Sequence, residues 1–73
     1  MMEKVKEAIE IFKLNAESYP ESFNVYDSLG EAYMTLGEND DAIRCYERSL
    51  ELNKDNPNAE ERLAKIKEKQ AKQ

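Results

Sequence analysis

Ala42-Ile43-Arg44-Cys45-Tyr46 echoes Ala8-Ile9-Glu10-Ile11-Phe12: small, β-branched, long and polar, apolar, aromatic, in one order and offset by 42 − 8, or 34 residues. Self-similarity at a fixed period marks stacked repeats, in which each unit covers an apolar face of its neighbour. A second pair keeps the same spacing, because Leu63-Ala64 follows Leu29-Gly30 by 34 residues. Two segment types therefore alternate along the chain in the order B, A, B, A, the quoted stretches lying on B.

Within each segment the apolar residues have helical spacing. Val5, Ala8, Ile9, Phe12 and Ala16 recur at steps of three and four from Glu3 to Ser18, which places them on one stripe of a helix. Pro20 stops that helix and biases Tyr19 toward extended backbone, and Ser22 can accept an amide hydrogen bond as the next N-cap. Phe23, Tyr26, Leu29, Gly30, Tyr33 and Leu36 trace a second stripe, closed by Gly37 as a left-handed cap. Asn39 or Asp40 caps a third helix, with Ala42, Ile43, Tyr46, Ser49 and Leu50 inward, acids in its first turn and an end near Leu52. Asn56 before Pro57 starts a fourth, carrying Ala59, Leu63 and Ile66. No stretch alternates with period two and no hairpin signal occurs, so the fold class is all-α, four antiparallel helices joined by short connections.

Composition narrows the chemistry. The chain has 73 residues, 11 basic and 16 acidic, for a net charge of −5, which holds one small domain. With 37% charged and 40% hydrophobic residues it could pass for a disordered segment, but the periodic apolar spacing argues for order. It has no histidine and a single cysteine, Cys45. Ser-His and Cys-His relays, Cys/His zinc sites and an internal disulfide are therefore excluded, and two glycines cannot build a phosphate-cradling loop. No enzyme activity, cofactor or metal is expected. The longest uninterrupted apolar run, Ala32 to Met34, is far too short for a membrane span or signal core. The chain reads as soluble, with the cytoplasm the favoured compartment.

A period of 34 carrying Tyr26, Leu29, Gly30 and Tyr33 on one helix and Ala42 and Tyr46 on the next resembles the tetratricopeptide repeat. The resemblance implies one complete repeat over 23–56, a B-type helix of a truncated repeat over 1–20 and a C-terminal capping helix over 57–73. It implies that Gly30 and Ala42 let the paired helices approach closely while the aromatics Tyr19, Tyr26, Tyr33 and Tyr46 fill around them. Ser49 departs from a usual alanine and Lys54 from a usual proline, and Ala64 and Lys67 suit a solvated outer face. The stretch from Glu10 to Tyr33 also looks like the repeat tails appended to some bacterial serine hydrolases related to beta-lactamases, which implies a C-terminal tail with the catalytic domain elsewhere.

The same resemblance implies that A helices line a concave binding surface. Helical spacing puts Asn24, Asp27, Ser28, Glu31, Met34 and Thr35 opposite the core stripe of the second helix, making them the expected partner-binding face. Residues 14 to 43 contain seven acids and no lysine or arginine, whereas residues 54 to 73 hold six bases and four acids. That asymmetry favours a basic or neutral protein or peptide partner and disfavours nucleic acid, whose phosphates it repels. It also disfavours the acidic chaperone tails that some relatives grip with bases, since only Arg62 suits such a clamp. Asp27 and Glu31 lack the further oxygen ligands a cation needs. Cys45 has no neighbour expected to lower its pKa.

The function expected is a non-catalytic protein–protein interaction module presenting an acidic concave helix face. The alternative is a structural oligomerisation element or minimal engineered repeat scaffold, to which the doubled Met1-Met2 points. Such an element would be a homodimer, swapped or not, that buries Val5, Ile9, Ile11, Phe12 and Leu14 of the first helix.

Overall fold

A computed structural model describes residues 2–71, and in it four helices follow one another: α1 (Met2–Ser18), α2 (Phe23–Leu36), α3 (Asn39–Leu52) and α4 (Pro57–Ala71). Met1 and the last two residues of the 57–73 segment lie outside the described residues. No strand occurs among the described residues. Each helix packs mainly on its neighbours in the chain, α1 on α2, α2 on α3 and α3 on α4, giving a slab 36 × 32 × 14 Å.

The turns form where the sequence chemistry requires them. Gly37 adopts the left-handed conformation, φ 81°. Its N–H donates to the Met34 carbonyl and that of Glu38 to the Tyr33 carbonyl, the paired bonds of a Schellman cap. This two-residue connection turns α3 back antiparallel to α2. Asn56 caps α4 as expected, its Oδ1 accepting from the Ala59 N–H at 3.3 Å. Two caps differ from expectation. Glu38, not Asn39 or Asp40, occupies the N-cap of α3, leaving Asp40 and Asp41 in its first turn, and Ser22 holds the N-cap of α2 in extended backbone without a side-chain bond. Consecutive polar residues before α3 all suit a helix start, so composition alone could not choose among them.

Two apolar clusters result. Ile9, Leu29 and Ala32 join α1 to α2, with Val5, Phe12 and Ala16 against them. Ala42, Tyr46, Ala59, Leu63 and Ile66 join α3 to α4, with Met34, Ile43 and Leu50 against them. Gly30 lies where α2 meets α3: a Cβ added there would come within 2.7 Å of the Tyr46 ring. Gly30 is thus small because Tyr46 occupies the space. Tyr19 is the aromatic that departs from the expected filler role, at 65% exposed in the α1–α2 connection.

Tyr46 itself is fully buried, and its hydroxyl has no hydrogen-bond partner. Burial pushes its pKa up to about 12, with the Glu31 and Asp27 carboxylates adding to the rise and Arg62 opposing it. An unpaired buried hydroxyl costs about 1 kcal/mol or more, and the equivalent position one period earlier is Phe12. Tyr46→Phe is therefore expected to raise stability by about 1 kcal/mol in urea unfolding at neutral pH. Cys45 is half-buried, and burial with nearby Asp41 pushes its thiol up to about 11. Both groups keep their protons longer in the fold than in the unfolded chain, whose ordinary values are 9.0 and 10.0. Their stabilising contribution is whole below those values and lost as pH rises through about 11 for the thiol and about 12 for the phenol. Stability is expected to be level up to about pH 9 and then to fall, the fall being shallower in Cys45→Ala and in Tyr46→Phe.

Candidate functional site

The six α2 residues expected on the binding face divide into two sets. Asn24, Glu31 and Thr35 are exposed and Ser28 is half-buried beside them. Asp27 and Met34 turn instead toward α3 and α4. Met34 packs on the α3–α4 cluster. The Asp27 carboxylate accepts from Ser49 Oγ at 2.7 Å and from Asn56 Nδ2 at 3.1 and 3.2 Å. Asn56 Nδ2 also reaches Ser49 Oγ at 2.9 Å, and Ser49 Oγ lies 3.2 Å from the Phe23 carbonyl.

Three helices therefore meet in one polar knot: Asp27 from α2, Ser49 from α3 and Asn56 at the start of α4. Ser49 and Asn56 are buried, so their polar groups need these partners. A carboxylate held this way is structural, and it is not free for a cation or a basic ligand. The two later members lie 22 and 29 residues from Asp27, beyond what helical spacing reveals. The available signal was Ser49 itself, a hydroxyl at a position where the repeat pattern usually has alanine.

Of the remaining face residues, Ser28, Glu31 and Thr35 border a groove. Val5, Ala8 and Phe12 of α1 and Ala32 of α2 form its apolar floor, with Lys4 on one rim and Ser28, Glu31 and Thr35 on the other; its volume is about 380 Å³. Electrostatically the two rims are opposite in sign. Among the described residues no cluster of His, Cys, Asp or Glu could hold a metal ion, and no helix is long and apolar enough to cross a membrane.

The face of α1 expected to self-associate also divides. Ile9 is 4% exposed, locked against Leu29 and Ala32 inside the chain, and Val5 and Phe12 are half-buried beside it. Ile9 thus cannot take part in contacts with a second molecule. Ile11 and Leu14 are different, at 58% and 62% exposed. They point away from α2 because they lie half a helical turn round from Ile9.

A search among curated proteins found no match. A family model described as the TPR repeat matches residues 30–70, more than half of the chain and the stretch in which Gly30 meets Tyr46 and α4 docks on α3. With that match added to the 34-residue period and the packed α2–α3 hairpin, the chain belongs to the tetratricopeptide-repeat family.

Proposed function

We propose that this chain is a protein–protein interaction module, as its family suggests, that it is non-catalytic, and that it binds a basic or neutral protein segment along the groove between α1 and α2, with Ser28, Glu31 and Thr35 as the polar contacts and Asn24 exposed on the same helix beyond them. The observation that carries this is the groove's make-up. An apolar floor supplies area to bury, and a short polar rim orients what is bound. Glu31 is the exposed acid on the α2 rim, facing Lys4 on the α1 rim, and no lysine or arginine occurs between residues 14 and 43.

Two synthetic peptides that share length and apolar residues but carry either lysines or glutamates provide the test. The lysine peptide is expected to bind more tightly, and Glu31→Lys to weaken it by about tenfold at low salt while helicity is unchanged. Equal affinities for the two peptides would refute the acidic selectivity. Asp27 is unsuited to this test, because a lysine there would break the knot with Ser49 and Asn56.

The exposure of Ile11 and Leu14 favours a second reading, in which two copies associate through α1 as a homodimer. Solution mass separates it from the first.

A further inference from the structure

A second groove lies on the other flank of the α1–α2 contact and shares no residue with the one beside Glu31. Tyr33 and Leu36 of α2, both half-buried, form its floor over the sealed Ile9 of α1. Lys6, Glu10 and Lys13 stand along the α1 wall, and Glu38 and Asp41 along the wall where α3 begins. Its volume is about 360 Å³, within the range of clefts that hold ligands. The sequence builds it from two local features. Lys6, Glu10 and Lys13 recur at steps of four and three and so share one face of α1, and the tight turn at Gly37 brings the first turn of α3 beside the end of α2.

Most of the charges in this region are matched. Lys13 pairs with Glu10 at 3.6 Å, and the Tyr33 phenol and Glu10 together raise its pKa. Asp41 pairs with Arg44 at 3.8 Å, and Asp40 turns away to accept from Gln70 of α4 at 3.3 Å. Lys6 and Glu38 are the exceptions. Both are exposed, and among the described residues neither side chain has a hydrogen-bond or ion-pair partner. The Glu38 carboxylate is not engaged even as a cap of α3, although Glu38 holds the N-cap position. An unmatched cation and an unmatched anion therefore stand on opposite walls of an apolar floor.

We infer that this groove binds an extended segment of another protein in which an aliphatic residue is flanked by one acidic and one basic residue, the acid at Lys6 and the base at Glu38. Successive side chains of an extended chain point to opposite faces, and next-but-one residues lie about 7 Å apart. The aliphatic side chain thus enters the groove while both charges stay at rim height in water. Burial against Tyr33 and Leu36 supplies the affinity, and the rim charges select the sequence. A segment with two acids sets one of them against Glu38, and a segment with two bases sets one against Lys6. Glu31 takes no part, so the inference stands apart from the selectivity of the first groove.

Four pentapeptides with acetylated and amidated ends and a central leucine test it, flanked by glutamate and lysine, by two glutamates, by two lysines or by two serines. Affinity is read from the amide signals of Lys13, Tyr33 and Leu36 in the isotope-labelled chain. The glutamate–lysine peptide is expected to bind about fivefold more tightly than the others at low salt. Charge reversals on the walls are then expected to switch the preference. In Lys6→Glu the two-lysine peptide becomes the tightest of the four, and in Glu38→Lys the two-glutamate peptide does. Both side chains are exposed, and circular dichroism would verify that helicity is retained. If a cation at the start of α3 lowers it, Glu38→Gln gives the same reading, since there the wild-type preference for the glutamate–lysine peptide over the two-glutamate peptide disappears.

No shift at Lys13, Tyr33 and Leu36 with any peptide, equal affinities for the four, or a preference that survives both reversals would each overturn the inference. Shifts confined to Ser28, Glu31 and Thr35 would overturn it as well, while leaving the first groove as the site that binds.

Discussion

Gly30→Leu is expected to cost about 3 kcal/mol or more, the largest effect of any single substitution in the α2–α3 hairpin. The Tyr46 ring lies within 3 Å of where the first added carbon would sit. Tyr46 is fully buried against α4 and the rest of its cluster, so it cannot swing aside. A chain of this size has a total stability of roughly 4 to 11 kcal/mol, and the variant is expected to be partly unfolded at physiological temperature. Gly30→Ala is milder, because alanine's helix propensity, about 1 kcal/mol better than glycine's, offsets part of the clash. The cause can be isolated with a double-mutant cycle: Tyr46→Leu should recover part of the loss in Gly30→Leu, whereas additive effects would mean the two residues do not oppose each other. Urea midpoints of the four proteins supply the numbers.

Asn56→Ala is expected to have the second largest effect, about 3 kcal/mol. Its carbonyl caps α4 at Ala59 and its amide donates to Asp27 and Ser49. Loss of an N-cap typically costs about 1 kcal/mol, and stranding buried polar partners adds about 1 to 3 kcal/mol. Asn56→Asp separates the two contributions. Aspartate caps helices as well as asparagine does, so a residue that only caps would tolerate it. Here the new carboxylate would face that of Asp27 and lack the donors that Asn56 provides. Asn56→Asp is therefore expected to be at least as destabilising as Asn56→Ala at neutral pH, and near wild-type stability would refute the knot.

The sequence made the helices, their order and the register legible for local reasons. Proline and glycine punctuate the chain at Pro20, Gly37 and Pro57, and the apolar steps of three and four are unambiguous between them. The tetratricopeptide resemblance implies close approach at Gly30 and Ala42; the fold sets Gly30 against the Tyr46 ring and buries Ala42 in the α3–α4 cluster. The candidate site was less legible, because a polar residue opposite a core stripe reads as solvated whichever neighbour it meets. Asp27 fits that pattern, and only the assembled fold brings Ser49 and Asn56 to its carboxylate. Ile9, Ile11 and Leu14 illustrate the same difficulty from the apolar side. A B-type helix in a repeat array has two contact faces, and hydropathy marks all three residues alike, although one is sealed against α2 and two are open.

Sedimentation equilibrium across a wide range of concentrations tests most directly whether this chain is a module with an open face for another protein. The account predicts a helical monomer of 8.5 kDa throughout, which gains the mass of one peptide when the lysine peptide is added. A dimer that persists on dilution and dissociates in Ile11→Glu with Leu14→Glu would contradict it, and would identify the face of α1 as a contact between two copies of the chain.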